Sequence, residues 1–257
     1  MDLAKTGTRE VEIERFCGSR WTACTDLMVR EEPLEIRLDG HPIAVLMRTP
    51  GQDEELVKGF LITEGILNHL SQIRKIRSEE NRMLIFLEDD VRVDLGRLSR
   101  NMFAGSSCGI CGKATMEAVF QEFPELTHSL MPSTDVLLAA PSKMRNQQSN
   151  FERTGGVHAA GLFNMDGEIT VLKEDIGRHN AVDKVIGAAL GRGLDMSGQW
   201  LLVSGRVSFE IMQKSLAARI SCVAAISAPS SLAVDFSKSS GQTLIGFLRP
   251  PTFNRYS

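Results

Sequence analysis

Two cysteines three positions apart, Cys108 and Cys111, stand in the run Ser106-Ser107-Cys108-Gly109-Ile110-Cys111-Gly112-Lys113. On a glycine-rich loop such a pair can supply two zinc ligands, cycle as a dithiol, or let one thiolate carry a sulfur atom that the other can attack. Zinc needs three or four ligands. There is no second C-x-x-C, and Cys17, Cys24 and Cys222 are scattered, so a four-cysteine site is poorly supported. The zinc-deaminase signature pairs H-x-E with P-C-x-x-C. No histidine here is followed by x-Glu, and Ser107 rather than proline precedes Cys108. The thiolate readings fit better. A loop that runs straight into a helix aims the first backbone amides of that helix at the sulfur and lowers the cysteine pKa, and Lys113 would add to the effect. The plain alternative is a structural pair with no chemistry. The other three cysteines read as bystanders.

Three further clusters could meet a ligand. Residues 174–180, Glu-Asp-Ile-Gly-Arg-His-Asn, carry more polar groups than a turn requires. Asp175, Gly177 and Asn180 have ordinary turn and capping roles. Arg178 and His179 together suggest a cation and a titratable imidazole beside an anionic ligand. Ser204-Gly205-Arg206 and Ala228-Pro229-Ser230-Ser231 each follow a short apolar run and open a helical one. That is the arrangement of a simple anion site. His158, after Gly155-Gly156-Val157, has a weaker case, because a lone histidine is more often a satisfied structural group. The last stretch, GFLRPPTFNRYS, holds Arg249 and Arg255 among aromatics and prolines, and no acid follows Asp235. It reads either as a strand with a surface tail or as an aromatic and cationic ledge for a nucleotide-like anion.

The elements that must position these groups follow from hydrophobic period. Residues 33–49 read as two strands joined at Asp39-Gly40, a dipeptide suited to a type I′ turn. Asp53 is expected to cap a helix over 53–66. Residues 72–77 and 83–87 form a second strand pair around Glu80-Asn81, which a short strand near Val91–Leu95 extends. A helix is expected from Lys113 to Phe123, and another over 133–152 broken or kinked at Pro141. From Val157 onward a strand pair turning at Asp166-Gly167 leads into alternating helices and strands, which implies a largely parallel sheet covered by helices. Ligands of such sheets bind outside the carboxyl ends of the strands. The expected division is an irregular arm over 1–30, a smaller α+β region over 31–104 and an α/β domain over 105–257.

Lys plus Arg total 29 and Asp plus Glu 32, a net charge of −3 over 257 residues. That excludes a generally basic nucleic-acid binder while leaving room for a local basic pocket. The chain is long enough for a real core, and its composition is that of a globular protein. No apolar run reaches the roughly 18 residues of a membrane span, and the first 18 residues contain no apolar signal region. Five sparse cysteines fit a reducing cytoplasm better than a disulfide framework.

The strings GFLITEGIL, SCGICGK, TGGVHAAGLF, EDIGRHNAVDKVIG, SGRVSFEIMQK, APSSLAVD and GFLRPPTFNRY, in this order, resemble the formate dehydrogenase accessory sulfurtransferase family, FdhD, over residues 33–256. The resemblance implies a sulfurtransferase that takes persulfide sulfur from a cysteine desulfurase. It passes the sulfur to the molybdenum of the bis(molybdopterin guanine dinucleotide) cofactor, which then enters formate dehydrogenase. It implies that Cys108 carries the persulfide with Cys111 as second cysteine. It also implies that Phe247, Leu248, Arg249, Pro250, Pro251 and Thr252 bind the cofactor, that the fold is α/β with a mixed, cytidine-deaminase-like sheet covered by helices and a smaller α+β N-terminal subdomain, and that the protein is a homodimer. Loop position adds Arg178, His179 and Arg206 as cofactor-binding candidates. Two other readings stand beside it: a molybdenum-cofactor chaperone that does not transfer sulfur, and a dithiol oxidoreductase working through a Cys108–Cys111 disulfide.

Overall fold

The structure, a computed structural model, describes residues 7–93 and 123–257. Cys108, Cys111 and the helix expected from Lys113 lie outside the described residues. Strands β1 (Thr8–Cys17) and β2 (Arg20–Val29) pair antiparallel along their whole length, from Thr8 opposite Val29 to Cys17 opposite Arg20. The expectation of an irregular arm is therefore corrected over 8–29. The ribbon escaped a reading by period because neither face enters a deep core. Val11 and Ile13 are only half-buried, and Phe16 and Trp21 at the tip are exposed.

The second sheet has the order β4-β3-β6-β5, built from β3 (Glu32–Leu38), β4 (His41–Arg48), β5 (Ile73–Glu79) and β6 (Arg82–Leu87). Asp39 and Gly40 both take positive φ, 46° and 83°, as a type I′ turn requires. Leu34, Ile36 and Leu38 alternate inward with Met83, Ile85 and Leu87 against helix α1 (Asp53–Thr63), whose Leu56, Val57, Phe60 and Leu61 complete this core. The residue before α1 is Gln52, not Asp53. Asp53 is drawn instead into an ion pair with the buried Arg48, Nη2 to Oδ2 at 2.9 Å. Residues 91–93 are not a strand.

The third sheet has the order β12-β11-β10-β9-β7-β8. Its strands are β7 (His158–Phe163), β8 (Ile169–Asp175), β9 (Trp200–Val203), β10 (Cys222–Ala225), β11 (Thr243–Arg249) and β12 (Thr252–Arg255). Only β9, β10 and β11 run parallel; the hairpins β7-β8 and β11-β12, and the β7-β9 pair, are antiparallel. The sheet is thus mixed, as the resemblance implies, and the largely parallel arrangement expected from alternation alone holds only for β9, β10 and β11. The β7-β8 hairpin turns at the expected Asp166-Gly167, where Gly167 takes a φ of 78°; strands that return through tight turns need no crossover helix. Along β9, Leu201 and Val203 enter one core while Trp200 and Leu202 enter the other. Burial on both faces makes WLLV and CVAA continuously apolar.

Helices α2 (Thr134–Arg145), α3 (Ser149–Thr154), α4 (Arg178–Gly191), α5 (Phe209–Ala217) and α6 (Ser231–Ser240) cover this sheet. Pro141 lies inside α2, and the helical stretch is interrupted at 146–148 instead. The two regions meet where α1 crosses α4. A Cβ on Gly59 would fall within the Asp183 backbone, and one on Gly187 within the Glu55 carbonyl. Beside that crossing, Lys214 Nζ of α5 lies 3.0 Å from both Asp183 Oδ2 and Thr63 Oγ1 and 2.8 Å from Glu64 Oε1. Burial works against the Lys214 charge, but Asp183 and Glu64 outweigh it and raise its pKa above the ordinary lysine value. No helix among the described residues is long and apolar enough to cross a membrane.

Candidate functional site

The polar clusters of the sequence converge on one edge of the third sheet, formed by the carboxyl ends of β8, β9, β10 and β11 and the start of β7. Asp175, the last residue of β8, is fully buried and organises it. Its Oδ1 accepts from the Gly177 N–H (2.8 Å) and from Asn180 Nδ2 (3.0 Å). Its Oδ2 accepts from the Thr49 N–H (3.1 Å) and pairs with Lys184 Nζ (2.7 Å), which also donates to the Thr49 carbonyl. Asn180 donates to the Met47 carbonyl, and the Ile176 N–H to Thr49 Oγ1. The end of β4 and the first turn of α4 are thereby locked together. Glu174 accepts from the N–H groups of Asn150 and Phe151 at the start of α3, both at 2.9 Å. The acids and amides of residues 174–180 are braces.

Arg178 and His179 separate. His179 is 8% exposed, with Nε2 2.9 Å from Glu210 Oε2 and 3.4 Å from Ser208 Oγ, so it ties α4 to α5 rather than facing the edge. Arg178 stays on the edge. Its Nε is buried and has no hydrogen-bond partner among the described residues. A buried guanidinium donor without an acceptor is costly, and an anion would supply what it lacks. The Arg178 side chain approaches Gly205, which His158 also contacts. A Cβ at Gly205 would lie 3.2 Å from His158 Nδ1 and 3.8 Å from Arg178 Cβ. Arg206, one residue on, is exposed.

At the C-terminal strands, Arg249 is exposed, and its Nε donates to the Ile226 carbonyl at 2.9 Å beyond the end of β10. The Phe247 N–H donates to the Ser227 carbonyl, and Phe247 is 40% exposed. Leu248 points the other way and is fully buried in the core with Trp200 and Ile245, so its side chain does not belong to the edge. Pro250 and Pro251 are joined by a cis peptide bond, and both they and Thr252 are exposed.

A cavity of about 480 Å³ opens beside these groups, lined by Arg145, Phe151, the Gly155-Gly156 pair, His158, Ser204 and Ile226 among others. That volume lies within the roughly 300–1,000 Å³ usual for small-molecule sites. The Arg145 guanidinium lies over the Phe151 ring, 4.5 Å from its centroid. His158 is half-buried, and burial lowers its pKa below the ordinary histidine value. Arg178, His179 and Arg206 lower it further, and Asp175 opposes them. Arg178, Arg206, Arg249 and Arg145 thus surround an edge whose acids are already engaged, in a chain of net charge −3.

Arg145, Phe151 and His158 were missed as site residues by sequence reasoning. Arg145 and Phe151 carry no local signal, since they sit on separate helices. His158 had one, its place after a glycine pair at the start of a strand, which alone did not outweigh a structural role. Of the other cysteines, Cys222 is buried and its thiol is pushed up to about 12 by that burial, which makes it inert. Cys17 and Cys24 lie on the N-terminal ribbon. No cluster of three or more His, Cys, Asp or Glu suited to a metal occurs among the described residues.

The family described as FdhD/NarQ matches residues 29–257. Proteins named sulfur carrier protein FdhD resemble the chain closely. The one from Streptomyces avermitilis is 45% identical over 246 residues, covering 90% of this chain and 87% of its own length. That from Mycobacterium tuberculosis is 45% identical over 243 residues, 88% of each. That from Sulfolobus acidocaldarius is 40% identical over 253 residues, 97% and 96%. A crystal structure from Desulfotalea psychrophila, of a protein described as a formate dehydrogenase accessory protein, superposes with a TM-score of 0.81 at 24% identity over 98% of both chains. That last likeness is one of fold.

Proposed function

Since the chain belongs to the FdhD/NarQ family, we propose that it carries sulfur in the maturation of a formate dehydrogenase. In this reading Cys108 accepts sulfur from a cysteine desulfurase. The Cys108 thiolate attacks the outer sulfur of the donor persulfide, a new S–S bond forms on Cys108, and the donor cysteine leaves as a thiolate. No oxidant or reductant is consumed. Cys111, three residues on, is placed to accept or release that sulfur. The recipient is the molybdenum of the bis(molybdopterin guanine dinucleotide) cofactor, handled as a substrate.

The observation that carries the cofactor half of the proposal is the cationic edge, where the buried Arg178 Nε, beside the cavity, has no acceptor among the described residues. The residues there fit a diphosphate-bearing ligand. Arg178, Arg206 and Arg249 supply charge, and the cavity has the size for one nucleotide-like arm. Phe247, Pro250, Pro251 and Thr252 offer an exposed ledge next to Arg249, whereas Leu248 and His179 support it from the core. The proposal includes a homodimer working in the cytoplasm and a main sheet of cytidine-deaminase type, with the 31–104 region as its smaller subdomain.

Intact mass after incubation with a cysteine desulfurase and cysteine tests the sulfur step. A persulfide adds one sulfur to the wild-type chain and none to Cys108→Ala. A loss of two hydrogens instead would favour the dithiol oxidoreductase. A Cys108→Ala variant that still yields active formate dehydrogenase in cells would leave only a cofactor chaperone.

A further inference from the structure

His158 occupies an unusual position for a histidine. It begins β7 directly opposite Asp175, lines the cavity, and packs against Gly205 beside the Arg178 side chain. Neither ring nitrogen has a hydrogen bond to another described residue. The charged groups that face it come from each neighbouring element: Asp175 at the end of β8, Arg178 and His179 at the start of α4, and Arg206 after β9, with Arg145 of α2 on the same cavity. Asp175 is already engaged by four donors, including Lys184. His179 is held by Glu210. The ring therefore sits in a positive surround, and its nitrogens meet no acceptor among the described residues.

We propose that His158 is a proton-coupled ligand of the diphosphate group bound in this cavity, neutral in the free protein and imidazolium in the complex. Binding moves one proton from the solvent buffer onto a ring nitrogen, which then donates a charge-assisted hydrogen bond to a phosphate oxygen. The physical cause is a reversal of local field. Burial and the neighbouring arginines keep the free imidazole neutral. An arriving diphosphate neutralises those arginines and adds negative charge, so the protonated form becomes the favoured one. The inference rests on the reading of this cavity as a nucleotide-anion site. It adds a residue and a proton to that reading. It also gives the site a preference for anions that accept hydrogen bonds over neutral heterocycles of the same shape.

The test is calorimetric titration of the full chain with GDP-mannose at neutral pH, in two buffers of different ionisation enthalpy. The diphosphate of this probe is esterified at both ends, so it has no ionisation of its own near neutrality. The expected result is uptake of up to about one proton per site, with affinity falling by as much as about tenfold per pH unit across the window where uptake occurs. His158→Asn should bind more weakly, take up no proton and lose the pH slope, and His158→Gln should behave the same. Binding to the wild type without proton uptake, or uptake unchanged in both variants, would overturn the role of His158 while leaving the nucleotide site intact. No binding to the wild type would overturn the site itself and this inference with it.

Discussion

Replacing Asp175 by Asn removes one charge and changes the shape of the side chain very little. Both carboxylate oxygens of Asp175 are saturated, Oδ1 by Gly177 and Asn180 and Oδ2 by Thr49 and Lys184, all within 3.1 Å. An amide has one acceptor oxygen. Whichever way it turns, two donors meet an NH₂ group, and Lys184, 1% exposed, is left as a buried cation without its anion. Breaking a buried pair in this way costs about 3–5 kcal/mol. For a chain of this size that corresponds to a melting point lower by roughly 6–20 °C. Urea unfolding followed by the fluorescence of the buried Trp200 measures the loss, with Trp21→Phe as the parent because Trp21 is exposed. Asp175→Asn combined with Lys184→Met removes the stranded charge and should recover part of the stability. A loss below about 1 kcal/mol for Asp175→Asn, or no recovery in the double variant, would show that Asp175 does not brace the edge by the mechanism described. The same variant loosens the first turn of α4 that carries Arg178, so nucleotide affinity should fall with it.

Three further outcomes follow from other parts of the molecule. Lys214→Met removes the buried cation paired with Asp183 at the junction of α1, α4 and α5, and should lower stability by about 3–5 kcal/mol, again measured by urea unfolding. Arg249→Ala removes a cation from the edge and should weaken binding of GDP by about 10- to 100-fold, the worth of one charge-assisted contact, as read by calorimetry. The pKa of His158 is lowered in the folded chain, so its neutral form contributes stability that is present above the ordinary value of 6.5 and is lost as pH falls through the lower folded value. Melting points taken in that acid window should fall less steeply for His158→Asn than for the wild type; parallel curves would count against the assignment.

Local chemistry made much of the scaffold readable. Leu34, Ile36 and Leu38 alternate because one face of β3 meets α1, and Asp39-Gly40 turns because both positions tolerate positive φ. QWLLVSG and VAAIS read as strands because the apolar runs within them are buried on both faces. The ribbon over 8–29 gave no such signal, since a two-stranded ribbon with solvent on most of its surface leaves no apolar period to read. The candidate site was legible only as a collection of types. EDIGRHN named a polar loop without separating its braces from the arginine left on the edge. That separation is geometric: adjacent residues of a helix point about 100° apart, so His179 turns to Glu210 while Arg178 remains on the edge.

The sequence by itself determined the cysteine pair Cys108-Gly109-Ile110-Cys111, the acid-free C-terminal segment and the order of strands and helices from Val157 onward, because each depends on residue types and short spacings. Only the tertiary structure decided which cations share a surface. Arg178, Arg206 and Arg249 are separated by tens of residues, and they lie along one side of the molecule because β8, β9 and β11 end on the same edge of one sheet. It also decided that Leu248 belongs to the core, and that Arg145, Phe151 and His158 line the cavity beside that edge. Long-range strand pairing sets these neighbours, and no local pattern records which loops it will bring together.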